Sequence, residues 1–149
     1  MKIAVAADHG GYPLKARIIR DLTESGNEVS DLGTNSADPV DYPDYARAVA
    51  EAILQGRAER AILLCGSGAG ACVAANKFPG IRAATCHDTY SAHQGVEHDD
   101  MNVLCIGSEV VGAELAGELI RSFLGARFDG GERYVRRLEK IEALERTHG

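Results

Sequence analysis

The sequence has little of what marks a membrane, secreted or nucleic-acid-binding protein. No apolar run is long enough to cross a bilayer, and the N-terminus enters a strand pattern without the features of a signal peptide. The four cysteines form no C-x-x-C pair, which is typical of a reducing compartment and not of a disulfide framework. The net charge of −6, with no basic tract, argues against nucleic-acid or anionic-membrane partners. We therefore expect a cytoplasmic protein.

Internal repeats and low-complexity segments are also missing, so the chain of 149 residues predicts a single domain, 1–149. Short apolar runs alternate with amphipathic helical patterns, and they predict strands over 2–7, 28–32, 61–65, 81–86 and 103–106. Such alternation is typical of a doubly wound, Rossmann-like α/β protein with a five-stranded parallel sheet. An extra C-terminal helix, 132–147, follows the completed sheet. Its apolar stripe needs a surface to cover, and a second subunit is one candidate; the stripe consists of Tyr134, Leu138, Ile141 and Leu144.

The central stretch of the chain is 61–77, AILLCGSGAGACVAANK. It predicts a buried strand, then a glycine loop over 66–70, then a helix from 71 to 76. A loop that enters a helix presents free backbone N–H groups, which favour a negatively charged ligand. Cys65 stands at the carboxyl end of the strand, directly before this loop. The arrangement predicts a nucleophile or base beside an anion site.

Two other interpretations of the same stretch stay open at this point. Gly66-x-Gly68-x-x-Ala71 matches a dinucleotide fingerprint, with Asp88 as its acidic residue, but that motif normally opens the first strand–helix unit of its domain. Cys65 could also be an ordinary buried residue, because free cysteines are common in cores.

Ligands of doubly wound sheets bind outside the carboxyl ends of the strands. That rule gathers Asp8 and His9 after the first strand, Cys65 with its loop, and His98 before the fifth strand. His98 has two alternatives, a polar residue at a helix end or a metal ligand together with His93, Asp99 and Asp100. His93 and His98 are five residues apart and off a common helical face, which argues against a metal.

Motifs along the whole chain occur together in one order: AADHGG with Lys15, DYPDYA, CGSGAG, AANK, GIRA, TYSA, EH, NVLCIGS and GGERYVRRLEKI. In these motifs the chain resembles the ribose-5-phosphate isomerase B and galactose-6-phosphate isomerase family of sugar-phosphate isomerases. The resemblance implies an aldose–ketose isomerase without metal or cofactor, which moves a proton between C1 and C2 of an open-chain sugar phosphate through an enediolate. It also implies homodimers or tetramers with active sites at the subunit interface.

The resemblance further implies a role for each matching residue. Cys65 is implied to be the base, with Ser67 and His98 assisting ring opening and hydroxyl proton transfer. Asp8 is implied to bind sugar hydroxyls and Tyr42 to line the pocket. Phosphate contacts are implied for His9, Arg133 and Arg137, and enediolate contacts for Gly66, Gly68, Ala69 and Gly70. The spacing of Arg133 and Arg137 fits one helix face, although the residues alone would equally fit a solvated face beside Glu132 and Glu139.

Two positions depart from the ribose 5-phosphate enzymes of that family. Asp99 stands where they have an amide, and Glu109 where they can carry an arginine. Asp99 directly follows His98, so we expect it to bind a substrate hydroxyl, and Glu109 is a candidate for binding another. We therefore expect ribose 5-phosphate to be a poor substrate and a differently configured or longer sugar phosphate to be a better one. Because the amide and the arginine are replaced by acids, a second interpretation stays open, a catalytically idle sugar-phosphate or nucleotide-binding module. A protein that only binds would not need Cys65 at the anion loop.

Overall fold

The structure, a computed structural model, describes residues 1–148. The strands are β1 (Lys2–Ala7), β2 (Glu28–Asp31), β3 (Arg60–Cys65), β4 (Ala83–Thr85) and β5 (Val103–Gly107). The helices are α1 (Tyr12–Glu24), α2 (Tyr42–Leu54), α3 (Ala69–Ala75), α4 (Thr89–Asp99), α5 (Ala113–Gly125) and α6 (Glu132–His148). The strands form one parallel sheet in the order β2-β1-β3-β5-β4. This confirms the predicted doubly wound sheet with an added C-terminal helix.

Helices cover both faces of the sheet, which explains why its strands are almost continuously apolar. Along β1, Ile3 and Val5 point into a core shared with α1, α4 and α5, where Phe123 is fully buried. Ala4 and Ala6 point the other way, into a core of small residues shared with α2 and α3. The apolar layers on the two faces therefore fix which side each helix occupies.

The fourth strand is shorter than the predicted 81–86. Near its start, some backbone groups of the chain bind side-chain amides and not a neighbouring strand. Asn102 Oδ1 accepts from Arg82 N at 2.8 Å, and Asn76 binds both the N–H and the carbonyl of Ala83, at 2.8 and 2.9 Å. β4 thus pairs with β5 through three residues only and forms one edge of the sheet.

Two helix boundaries also differ from the sequence prediction. The polar residues of 33–44 predict a loop, but α2 begins at Tyr42, because Pro43 sits in the first turn, where a missing N–H costs nothing. The sequence predicts the fourth helix over 89–97, but α4 continues to Asp99, so His98 lies in its last turn. Asp100, with φ +50°, ends the helix, and Arg82 Nε donates to its carbonyl at 2.7 Å.

The C-terminal helix α6 packs on α4 and leaves much of its predicted apolar stripe uncovered. Tyr134 is buried, Leu138 and Ile141 are half-buried, and Leu144 is 61% exposed. A second subunit over this stripe stays a prediction. No helix within residues 1–148 has the length and the hydropathy to cross a membrane.

Candidate active site

A cleft of about 420 Å³ opens at the carboxyl ends of β1 and β3. These strands are neighbours, but the helices that follow β1 and β3 cover opposite faces of the sheet, so the two loops diverge and leave a crevice. The cleft is lined by Asp8, His9, Gly10, Tyr42, Cys65, Gly66, Ser67, Gly70 and Glu109. The cleft therefore lies at the edge of the sheet that the rule for doubly wound sheets predicts.

Cys65 lies at the floor of this cleft and is 5% exposed. Its Sγ accepts a hydrogen bond from Gly68 N at 3.0 Å, because the chain turns back on itself directly after the strand. The turn requires φ +82° at Gly68, where a Cβ would also come 2.9 Å from Thr85 Cγ2. Only glycine fits this position, and the reversal it allows points a backbone donor at the sulfur.

The glycine loop rests on β5 and is held from β4. A Cβ on Gly107 would come 2.5 Å from the Ser67 carbonyl carbon, so the loop backbone lies directly on this residue. Thr85 Oγ1 donates to the Gly68 carbonyl at 2.9 Å, and Gly107 N donates to His87 Nε2 at 2.9 Å. Sequence reasoning gave His87 no role, since nothing local shows that the end of β4 supports the loop.

Two backbone N–H groups of the glycine loop donate hydrogen bonds within the loop itself. Gly68 N donates to the thiol of Cys65, and Ala69 N donates to Ser67 Oγ at 3.2 Å. The Ser67 side chain is exposed to the cleft. Of the N–H groups expected to be free for an anion, these two are therefore engaged in the structure.

Asp8, His9 and Tyr42 form the other wall. Asp8 is 7% exposed, and its Oδ1 accepts from Gly11 N at 3.0 Å. His9 Nδ1 accepts from Val40 N at 3.1 Å, which leaves Nε2 to carry the proton of the neutral ring. The Tyr42 ring covers Gly70 so closely that a Cβ there would lie 2.8 Å from its Cζ. All three predicted residues therefore line the cleft with Cys65.

Glu109 also enters the cleft, from the turn after β5. Its backbone N–H donates to the Gly66 carbonyl at 3.0 Å, and Ser108 N donates to the Cys65 carbonyl at 2.9 Å. A Cβ on Gly66 would lie 3.6 Å from the Glu109 carboxyl carbon, which places the carboxylate over the start of the loop. The sequence indicates Glu109 as a departure from a family pattern and as a second candidate for binding a substrate hydroxyl.

The remaining predicted residues gather elsewhere, around Tyr134. The His98 ring stacks on the Tyr134 ring with centroids 4.4 Å apart, and its Nδ1 lies 2.7 Å from Gln94 Nε2. Arg133 Nη2 donates to the Tyr134 hydroxyl at 2.7 Å, and the Arg137 guanidinium lies 6.0 Å from the ring centroid. Tyr134 is thus the centre of this cluster, although its sequence pattern indicated only an apolar stripe.

Within residues 1–148, this cluster contributes nothing to the lining of the Cys65 cleft. Asp99, next to His98, faces a different hollow, lined by Asn76, Ile81, Arg82, Ala83, Ile141, Leu144 and Glu145. A single subunit therefore divides the predicted site into the Cys65 cleft and the Tyr134 cluster. The expected proximity of Asp99 to the reacting atoms is not found within one chain.

A second thiol near the loop has distinct properties. Cys72 lies on α3 and is half-buried, and a hydrogen bond from the Cys105 thiol lowers its pKa to about 6. Burial and the same contact raise the pKa of Cys105. Within the described residues, no group of three or more His, Cys, Asp and Glu side chains is placed to hold a metal ion, and this applies to the His93, His98, Asp99 and Asp100 alternative.

Comparison with known proteins identifies the family. The family model described as Ribose/Galactose Isomerase matches residues 3–141. The chain belongs to this family. Ribose-5-phosphate isomerase B of Escherichia coli K12 is 49% identical over 144 residues, which cover 97% of this chain and 96% of the relative. The D-erythrulose-4-phosphate isomerase of Pectobacterium atrosepticum is 44% identical over 133 residues, with 88% and 87% covered.

A solved structure agrees with the sequence comparison. Ribose-5-phosphate isomerase B of Clostridium thermocellum superimposes with a TM-score of 0.97 at 46% identity, and the match covers 100% of both chains. These matches confirm the resemblance seen in the motifs. The chain is a sugar-phosphate isomerase of the ribose/galactose isomerase family.

Proposed function

We propose that this isomerase interconverts an aldose phosphate and a ketose phosphate through an enediolate, with Cys65 as the base and without a metal. The observation that carries the proposal is the Cys65 thiol at the floor of a cleft, with a backbone N–H directed at its sulfur. A thiolate in this place accepts the C2 proton of an open-chain aldose and returns a proton to C1. Gly68 N supports the negative charge of the sulfur before the transfer.

The proton transfer leaves a negative charge on the substrate oxygens. Preorganised donors at such an oxyanion are commonly the largest catalytic contribution. Because Gly68 N and Ala69 N are engaged, we assign this role to other N–H groups of the loop, such as that of Gly70, and to the Ser67 hydroxyl. Tyr42, packed on Gly70, closes the pocket over them.

The phosphate requires cations that the cleft of one chain does not supply. Asp8 and Glu109 line this cleft, whereas no lysine or arginine within residues 1–148 does so. Arg133 and Arg137 stand in the Tyr134 cluster with exposed side chains. We therefore propose a homodimer or tetramer in which the Tyr134 cluster of one subunit completes the Cys65 cleft of another. His98 then reaches the substrate from the partner side and assists ring opening.

We propose that the better substrate is a sugar phosphate other than ribose 5-phosphate; the two relatives described above are named for a pentose and a tetrose phosphate. Our test is a screen of erythrose 4-phosphate, ribose 5-phosphate and galactose 6-phosphate in D₂O with a chelator. We expect conversion of at least one sugar, with deuterium appearing at the carbon that exchanges its proton. Ribose 5-phosphate should be poor, because acids replace the amide and the arginine of the ribose enzymes.

The Cys65→Ser variant tests the base. Its hydroxyl is far harder to ionise than a thiol, so isomerisation and deuterium exchange should both fall by at least ~10²-fold. Cys72→Ser is the matched control, since it removes a half-buried thiol outside the cleft. Tight binding of a sugar phosphate with no exchange by the unmodified protein would instead favour the idle binding module, and normal turnover of Cys65→Ser would reject the thiol as base.

A further inference from the structure

The Glu109 carboxylate lies in the cleft beside the proposed base, where the reaction needs a second proton-transfer group. It lies over Gly66, one residue from Cys65, and its side chain is exposed to the cleft. Among residues 1–148 it has no ion-pair or side-chain hydrogen-bond partner. The other carboxylate of the cleft, Asp8, is buried and already accepts from Gly11 N. Glu109 is therefore the carboxylate of this cleft that is available to a ligand.

Its position is fixed by the backbone and does not depend on a flexible surface turn. Glu109 N binds the Gly66 carbonyl, Ser108 N binds the Cys65 carbonyl, and the Ser108 hydroxyl donates to the Gly10 carbonyl. These bonds join the turn after β5 to both loops that form the cleft. The Glu109 backbone is therefore held beside the loop that carries Cys65, and its carboxylate reaches the cleft from this turn.

Interconversion of an aldose and a ketose moves two protons. One passes between C2 and C1, and the proposed function gives this transfer to Cys65. The other must pass from the hydroxyl oxygen O2 to O1, because the carbonyl of the product is on C2. The resemblance implies Ser67 and His98 for hydroxyl proton transfer, but the Ser67 hydroxyl is a poor base, and the proposed function places His98 at ring opening. A carboxylate within hydrogen-bond reach of both oxygens is suited to such a transfer.

We propose that Glu109 is a further catalytic residue, which carries the hydroxyl proton from O2 to O1 of the enediolate. Cys65 first takes the C2 proton, leaving an enediolate with charge on O1 and a proton on O2. The Glu109 carboxylate accepts the O2 proton and delivers it to O1, so it ends ionised as it began. Cys65 then returns a proton to C1 as the C2 carbonyl forms. No oxidant, reductant or metal takes part, and this inference rests on the proposed function.

The test separates formation of the enediolate from its completion to product. The unmodified protein and Glu109→Gln are incubated in D₂O with whichever sugar of the screen the unmodified protein converts fastest. Ketose formation and deuterium at C2 of the recovered aldose are then measured together. Without Glu109 the enediolate still forms but returns to aldose. We expect kcat to fall about 10²-fold, and the ratio of deuterium in recovered aldose to ketose formed to rise at least about tenfold.

Two further variants make the result specific. Glu109→Asp keeps a carboxylate and should regain part of kcat and lower the exchange ratio again. Glu118→Gln removes an exposed carboxylate on α5 and should leave both quantities unchanged. The proposal is wrong if exchange and ketose formation fall together in Glu109→Gln, if neither changes, or if only KM values among the sugars change. Cys65→Ser distinguishes this failure from that of the base assignment, because loss of the base lowers exchange together with ketose formation. If the unmodified protein shows no exchange with any sugar, both proposals fail.

Discussion

Two inactive variants of this isomerase should restore activity to each other when their subunits mix. Cys65→Ala removes the thiol of the cleft, and Arg137→Ala removes a guanidinium of the Tyr134 cluster. In one chain these residues belong to separate sites, since Arg137 packs against the Tyr134 ring and contributes nothing to the described lining of the cleft. If a partner supplies Arg137 to each Cys65 cleft, a mixed dimer has one intact site.

The size of the recovery follows from the symmetry of a dimer. Random exchange between equal amounts of the two variants makes half of the dimers mixed, and half of the sites in each mixed dimer are intact. About a quarter of the unmodified activity should therefore return. If Cys65 and Arg137 served the same site from one chain, every site of a mixed dimer would lack one of them, and nothing would return.

The assay measures ketose formation after subunits have exchanged, with native mass spectrometry to count the mixed dimers. Arg136→Ala is the matched control, because Arg136 is an exposed arginine beside Arg137 on α6 and has no described contact with Tyr134. Without any mixing, Arg136→Ala should keep its activity. This result would show that the loss of one positive charge on α6 is not enough to inactivate the enzyme. Absence of recovery in a sample that contains mixed dimers would refute the shared site.

Three other predictions concern specificity, loop support and stability. Asp99→Asn should raise kcat/KM for ribose 5-phosphate relative to erythrose 4-phosphate roughly tenfold if Asp99 acts from a partner, and an unchanged ratio would remove it from the site. His87→Leu removes the acceptor for Gly107 N and should lower kcat with little effect on KM. His87→Gln keeps an acceptor and should restore kcat. Equal losses of kcat in the two variants would show that the bond to Gly107 is unimportant. Arg60 donates to the Phe123 and Ala126 carbonyls, so Arg60→Met should lower the free energy of unfolding in urea by about 2 kcal/mol, and exposed Arg57→Met should not.

The sequence predicted the residue ranges of the strands and the glycine loop better than the order of the strands in the sheet. The apolar runs of β1 and β3 and the glycine loop after Cys65 depend on local composition, and the structure has them within one or two residues. The placement of β5 between β3 and β4 could not be predicted, because a buried strand shows its burial but not its partners. In the structure the three residues of β4 are half-buried, which fits an edge strand.

The composition of the cleft was predicted as far as it depends on the ends of strands. Asp8 and Cys65 follow directly from that rule. Glu109 does not, because its position depends on the turn after β5 folding back onto Gly66. The stack of His98 on Tyr134 joins two helices that are distant in sequence, and no local pattern specifies it. Tertiary contacts of this kind explain most of what sequence reasoning missed.

The low pKa of the Cys72 thiol determines how this protein must be labelled. The hydrogen bond from the Cys105 thiol lowers the pKa of the half-buried Cys72 thiol to about 6, and we expect alkylating reagents to react with Cys72 at neutral pH. Its helix begins at the loop that holds Cys65, so an adduct there could stop turnover without touching the cleft. Inactivation by iodoacetamide is therefore no proof of a catalytic Cys65. A Cys72→Ser background removes the ambiguity and leaves Cys65 as the thiol that borders the cleft, because Cys86 and Cys105 are buried in the core.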